Sequence, residues 1–348
     1  MRKSILIIIC CVFFSCNGHK DIPDVSGIKV NLEVKRFEND LFGIDTLHLT
    51  DGIHKLTRVY PMFARDFFAN ILGLNADSVM TSGSVQERMI KDFLRDYRFL
   101  KDSAKEVFTN LDKQISEVTK GLKFVRYYFP AYKLPDTLIT FIGPIDANFE
   151  TSFGTQGDII TPEGLGVGLQ LHMGEKFSLY KSGEGMERYP EYLSKTFTPD
   201  YIPVNCLKNI IDDLFPDNSV GKPLVEQMVE KGKRYYLLDK FLPGIPEYMK
   251  IAYTEKQMKD AYTNEAVIWD FFLNNELLNN AEQNSIKNYI GESPKTQELG
   301  EDSPGNLGSF SGWQIVKKYM AKFPKTSLAQ LISIDPRQIY TEAKYRPR

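Results

Sequence analysis

Leu138-Ile139-Thr140-Phe141-Ile142 is a five-residue run made almost wholly of large apolar side chains, and Leu165-Gly166-Val167-Gly168-Leu169-Gln170-Leu171-His172-Met173 is a second, flanked by glycine. Short apolar runs bounded by turn residues read as buried strands. Upstream, Val30-Asn31-Leu32-Glu33-Val34-Lys35-Arg36-Phe37 alternates apolar and polar residues, the pattern of a half-buried strand. Residues 143–163, between the two apolar runs, read as loop. Gly164, Gly166 and Gly168 read as a bent strand or a place where another backbone comes close. Neither a Lys nor a helix start follows them, so they make a poor phosphate cradle.

Outward from these strands the spacing becomes helical. Residues 53–72 predict a helix that Pro61 kinks or splits. Residues 86–100 repeat apolar side chains at Met89, Phe93, Tyr97 and Leu100, and Ser103 is expected to cap a helix running to about Tyr128. Residues 190–197 and 201–214 read as helices. Pro223 stands near the first position of a strong helix over 224–242. Thr254 with Gln257 three residues on is a capping-box pattern opening a long helix over 254–278. Residues 291–305 read as a polar loop, 307–323 as a helix, and 327–345 as one or two short helices. The expected class is α+β, predominantly helical with a small β-sheet.

The 348 residues are 42% hydrophobic and 25% charged, the balance of a globular chain. The 23 Phe and 18 Tyr supply a substantial core without covalent staples. Net charge is −2, with no basic footprint for nucleic acid. The first residues set the compartment. Arg2 and Lys3 precede an apolar stretch from Ile5 to Phe14, about half the length a membrane-spanning helix needs. That matches the h-region of a signal peptide. It ends in Phe13-Phe14-Ser15-Cys16, which resembles the lipobox of bacterial lipoproteins, in which a small residue precedes a diacylated Cys. The expected organisation is therefore a signal peptide over 1–15, lipidated Cys16 and a flexible tether over 16–29, and one helical-rich domain over 30–348. The lipid would hold the chain at the cell membrane or outer membrane, with the domain outside the cytoplasm. Cleavage removes Cys10 and Cys11 and lipidation blocks Cys16, so Cys206 has no disulfide partner and reads as inert packing.

Tools for catalysis are scarce. His19 lies in the tether, and His48 and His54 lack the i, i+4 spacing of a helical zinc pair. His172 ends a strand and reads as a packed or surface residue. There is no H-E-x-x-H, C-x-x-C, G-x-S-x-G or P-loop. Glu265 and Asp270 fall on different helix faces, so they do not form an acid–base pair. Trp269 and Trp313 read as core aromatics, Ser303-Pro304-Gly305 as a turn before a helix, and Gly232 and Gly312 as sites of close helix packing. No catalytic residue, metal or cofactor is expected.

Several segments together resemble the gliding-motility lipoprotein family of Bacteroidetes, the GldB type. They are Val34-Lys35-Arg36-Phe37-Glu38-Asn39-Asp40-Leu41-Phe42; Tyr60-Pro61-Met62-Phe63; Gly168-Leu169-Gln170-Leu171-His172-Met173-Gly174 leading to Tyr189-Pro190-Glu191-Tyr192-Leu193; Gly232-Lys233-Arg234-Tyr235-Tyr236-Leu237-Leu238-Asp239; Asn264-Glu265-Ala266-Val267-Ile268-Trp269; and Ser303-Pro304-Gly305-Asn306-Leu307-Gly308 with Gly312-Trp313-Gln314-Ile315-Val316. The resemblance implies an accessory or assembly factor of gliding that binds envelope proteins, with Trp269, Glu265, Ser303, Gly305 and Trp313 as partner or cleft residues. A more distant similarity is to predicted zinc proteases, implying a degenerate zincin-like fold. There the ligand positions hold Asn205-Cys206-Leu207-Lys208-Asn209 and Lys231, a set unsuited to Zn²⁺. The competing expectations are a periplasmic peptidase-like hydrolase and a periplasmic ligand-binding lipoprotein with an aromatic cleft around residues 165–192.

Overall fold

The computed structural model describes residues 22–74 and 84–348. The expected signal peptide, Cys16, His19 and the expected tether as far as residue 21 lie outside the described residues.

The alternating segment gives a strand, β1 (Glu33–Arg36), shorter than its pattern, because Phe37 opens the helix α1 (Phe37–Phe42) instead. Its ring is fully buried in an aromatic nest, 5.1 Å from Tyr60, 5.0 Å from Phe63 and 4.8 Å from Phe67. Pro61 splits the next helix as its missing N–H dictates. The pieces are α2 (Leu49–Val59), α3 (Phe63–Asp66) and a π-helical turn, Phe67–Ile71. The freed N–H groups of Met62 and Phe63 donate to the Glu163 carboxylate at 3.0 and 2.8 Å.

The helices α4 (Val85–Asp96), α5 (Arg98–Val107) and α6 (Asp112–Tyr128) depart from expectation in phase and in boundaries. Ser103 is no cap: it lies inside α5 and donates back to the Phe99 carbonyl at 2.9 Å. The break falls at 108–111, where Phe108 and Leu111 turn into the core. Met89 and Val107 are exposed, since Ile90, Phe93 and Leu94 make the inner face of α4.

Both apolar runs are strands, β2 (Thr137–Phe141) and, at the end of the series, β6 (Gly164–Gly168). Between them the expected loop holds β3 (Phe149–Thr151), β4 (Gly154–Gln156) and β5 (Ile159–Thr161), each too short for alternation to register. The sheet order is β1-β2-β6-β5, with β1, β2 and β6 parallel and β5 antiparallel at the edge; β3 and β4 form a separate hairpin. The two central strands are buried throughout, as parallel strands covered on both faces must be. Gly164 explains the glycine density: its φ is +153°, and a Cβ there would overlap the Thr137 carbonyl.

The remaining elements are helical: α7 (Gly183–Arg188), α8 (Glu191–Ser194), α9 (Ile202–Leu214), α10 (Leu224–Phe241), α11 (Glu247–Lys250), α12 (Glu255–Thr263), α13 (Glu265–Asn274), α14 (Gln283–Ile290), α15 (Leu307–Lys322), α16 (Leu328–Ser333) and α17 (Pro336–Ala343). The single helix expected over 254–278 is broken at Asn264, while its capping box forms as read. α9 packs on β5 and β6. α10 and α15 meet almost backbone to backbone: a Cβ on Gly232 would overlap the Gly312 carbonyl, and one on Gly312 the Met228 carbonyl. The fold is α+β and mostly helical, with this helix pair packed beside α9.

Candidate functional site

A cleft of about 840 Å³, open solvent at its mouth included, lies where α9, the β3–β4 hairpin, residues 192–197, residues 251–253, residues 292–294 and the start of α15 converge. Only about 70 Å³ of it admits a water-sized body, room for a small polar group rather than for a whole drug-sized molecule. Phe153, Phe197, Tyr192, Tyr201, Tyr235 and Tyr253 supply aromatic wall. Tyr253 Oη reaches across to donate to the Gly305 carbonyl at 2.7 Å, and Asn306 Nδ2 donates to Tyr235 Oη at 3.3 Å.

Helical spacing brings α9 to the cleft. Asn205 and Lys208 are three apart and line it together, while Cys206 and Leu207 point into the core. Asn209 lies behind the lining, where its Oδ1 accepts from the cleft residue Gln156 through Nε2 at 2.9 Å. Lys208 is 7% exposed, and its Nζ stands 5.4 Å from the centre of the Phe153 ring. Burial brings its pKa down to about 8, against the opposing pull of Glu292 and Asp212. Both acids are engaged elsewhere. Glu292 accepts from the Thr155 N–H and hydroxyl at 2.9 and 2.8 Å, and Asp212 takes the Ser152 N–H at 2.7 Å and its hydroxyl. Lys208 Nζ has no hydrogen-bond partner among the described residues.

Two backbone positions in the cleft are held in the left-handed region, Ala252 at φ +58° and Asn306 at φ +60°. They are two of the four non-glycine residues with positive φ among the described residues. Such conformations cost about 1–2 kcal/mol and cluster at functional sites. Asn306 is the N-cap residue of α15 and leaves Oδ1 unpaired; turning the amide over would orphan the nitrogen instead.

Next to the cleft, α10 carries charges that pair with one another and with backbone carbonyls, leaving only Arg234 Nε without a hydrogen bond. Arg234 is fully buried; it donates to the Phe215 carbonyl at 2.7 Å and the Glu230 carbonyl at 3.1 Å, and lies 3.7 Å from Asp212 and 4.0 Å from Asp217. Lys231 donates to the Ser152 carbonyl and to Asp217 at 2.9 Å, and Lys233 to Glu230 at 2.9 Å. Burial alone would raise the Asp217 pKa, but Arg234 and Lys231 hold it well below the usual carboxylate range. Behind α9, His172 is buried rather than exposed. Its Nε2 faces Asp158 at 2.9 Å and its Nδ1 faces the Thr198 carbonyl at 3.0 Å. Burial opposes its charge, yet Asp158 outweighs burial and raises the pKa. The pair ties residue 158 to residue 172 and does not line the cleft. Cys206 is buried and burial pushes its thiol up, so it is unreactive packing.

The residues singled out from sequence do not converge. Glu265 accepts from Tyr345 Oη at 2.6 Å and Trp269 packs edge-on to the same ring at 4.9 Å, so both hold down the C-terminal tail. Trp313 is fully buried, donates Nε1–H to Asp239 at 2.9 Å and lies 5.3 Å from Tyr235. Ser303 donates to the Thr296 carbonyl at 2.7 Å. Gly305 alone of the five lines the cleft, where a Cβ would overlap Ser293. The cleft lies beyond most of residues 165–192, as β6 is buried and only Leu171 and Tyr192 of that span line it. Lys208 was legible only as a member of a lost ligand set, Tyr235 and Asn306 only as members of the family-like segments, and Phe153 and Glu292 gave no sequence signal.

The metal implied by the distant similarity does not fit here. Asn205 and Asn209 are weak zinc ligands, the Lys208 ammonium would repel the ion, and Lys231 is committed to Asp217. Among the described residues no group of three or more His, Cys, Asp or Glu side chains is placed to hold a metal.

The chain matches the family described as gliding motility protein GldB over residues 18–347 and belongs to that family of gliding-motility lipoproteins. No curated protein and no solved structure matches it. No helix of the described residues is long and apolar enough to cross a membrane.

Proposed function

We propose that the chain serves gliding motility as a lipid-anchored envelope protein that works by binding, and that the cleft bordered by α9, the β3–β4 hairpin and α15 is where it captures its partner. One observation carries this reading: a buried lysine faces an aromatic-walled space without a hydrogen-bond partner. A buried cation is costly unless something pairs with it. The anchor is lipidated Cys16, and the binding partners are envelope proteins or molecules they present.

The test uses a gliding cell deleted for its own family member and complemented with the full chain. Wild type restores colony spreading. Asn205→Trp, which fills the cleft from a half-buried helix position, abolishes spreading at unchanged membrane abundance. Full spreading by Asn205→Trp at normal abundance overturns the role of the cleft. Cys16→Ser moves the chain out of the membrane fraction and stops spreading; a variant that stays membrane-bound overturns the lipid anchor.

A further inference from the structure

The binding reading is deepened by the charge in the cleft. We propose that the cleft takes a ligand bearing a carboxylate, held by the Lys208 ammonium and the Asn205 amide. This rests on the binding function proposed above but is tested apart from it.

Lys208 is more than nine-tenths buried and lines the cleft, and no side chain or backbone acceptor of the described residues takes its protons. The two acids close enough to act on it are spent on the β3–β4 hairpin: Glu292 on Thr155, Asp212 on Ser152. The fold therefore covers most of the Lys208 side chain and supplies no protein acceptor for an ammonium that faces the cleft. An anion entering the cleft supplies the missing acceptor in a setting of low dielectric, where a charge-assisted hydrogen bond is strong. Asn205, half-buried and one turn away on the same face of α9, adds an N–H donor. α15 begins at the cleft wall with no side-chain cap, so the positive end of a sixteen-residue helix reinforces the field.

The same charges select among anions. One buried cation balances one negative charge, while Glu292 at the exposed rim and Asp212, close enough to act on Lys208, repel a second. A dianionic phosphate is disfavoured on that ground, and a metal ion is excluded by the ammonium. A neutral ligand would leave Lys208 buried and unpaired. The monoanionic carboxylate remains, and the aromatic walls and the unpaired end of the Asn306 amide suit the body of the molecule that carries it. Such a carboxylate is found at the end of a peptide or on an acidic sugar.

The experiment uses the full-length lipoprotein in detergent, with calorimetry and thermal melts against two pairs of probes: acetyl-Ala-Ala with a free carboxyl against its amide, and glucuronate against glucose. At least one acid binds tenfold or more tightly than its neutral mate and raises the melt; the pair that responds identifies the source. Lys208→Met abolishes the preference, Lys208→Arg retains part of it, and Asn205→Ala weakens the acid several-fold. Equal binding of acid and neutral mate, a preference that survives Lys208→Met, tighter binding of inorganic phosphate, or no response to either acid overturns the carboxylate. If spreading is still lost with Asn205→Trp, the cleft keeps its role and only its ligand chemistry falls.

Discussion

The charge cluster on α10 and the cleft use the same residue types to opposite ends. Arg234, Lys231 and Lys233 are buried or half-buried, and each finds carbonyls and carboxylates that fit it. Lys208 is as deeply placed, shares Asp212 as a neighbour with Arg234, and finds no hydrogen bond. A charge whose hydrogen bonds are made inside the fold is part of the scaffold. A charge left incomplete costs stability that the fold recovers only when something else binds.

Removing one member from each region should move stability in opposite directions. Arg234→Met leaves Glu230 and Asp217 with Lys233 and Lys231 alone and removes the donor to the Phe215 carbonyl, and should lower unfolding free energy by about 3 kcal/mol in denaturant melts. Lys208→Met should raise it at pH 7, by on the order of 2–3 kcal/mol, because it removes a cation that burial penalises. A group with a depressed folded-state pKa that is a base carries its cost below that pKa. The wild type should therefore gain stability from about pH 8 towards pH 10.5, and the advantage of Lys208→Met should shrink over that range. A destabilised Lys208→Met would place this lysine with the scaffold and erase the contrast. Gly312→Ala should cost about 1–3 kcal/mol, since the new methyl meets the Met228 carbonyl and α15 must move. The smallest effect is the acid limb. Asp217, held low by Arg234 and Lys231, contributes stability above its unfolded pKa that is lost as pH falls below about 4, so Asp217→Asn should flatten that slope.

Much of the scaffold was written in patterns that survive without tertiary context. The central strands, the split at Pro61, the capping box of Thr254 and Gln257, the inert Cys206 and the glycine contact of Gly232 with Gly312 all follow from local sterics or composition. Three-residue strands do not, because a period of two needs more length to show. The register of α4 was off because Met89 is apolar yet lies outside, which only packing decides. The cleft was the least legible part. Its walls come from segments as distant as residues 151 and 306, and Lys208 reads as an ordinary helix cation until the fold covers it. The absence of zinc ligands on α9 and at Lys231 was visible, but not that Asn205 and Lys208 would share a cleft.

The contact of Gly232 with Gly312 bears on how anything enters that cleft. Tyr235 lies three residues past Gly232 on α10, and Asn306 caps α15 six residues before Gly312, so this hydrogen-bonded pair of lining residues hangs from one point where main chain touches main chain. With no side chain between them to change rotamer, the two helices cannot trade one packing for another. The cleft behaves as a jaw with a welded joint: its gape is fixed on the helix side, and accommodation of larger occupants falls to the hairpin and to residues 292–294.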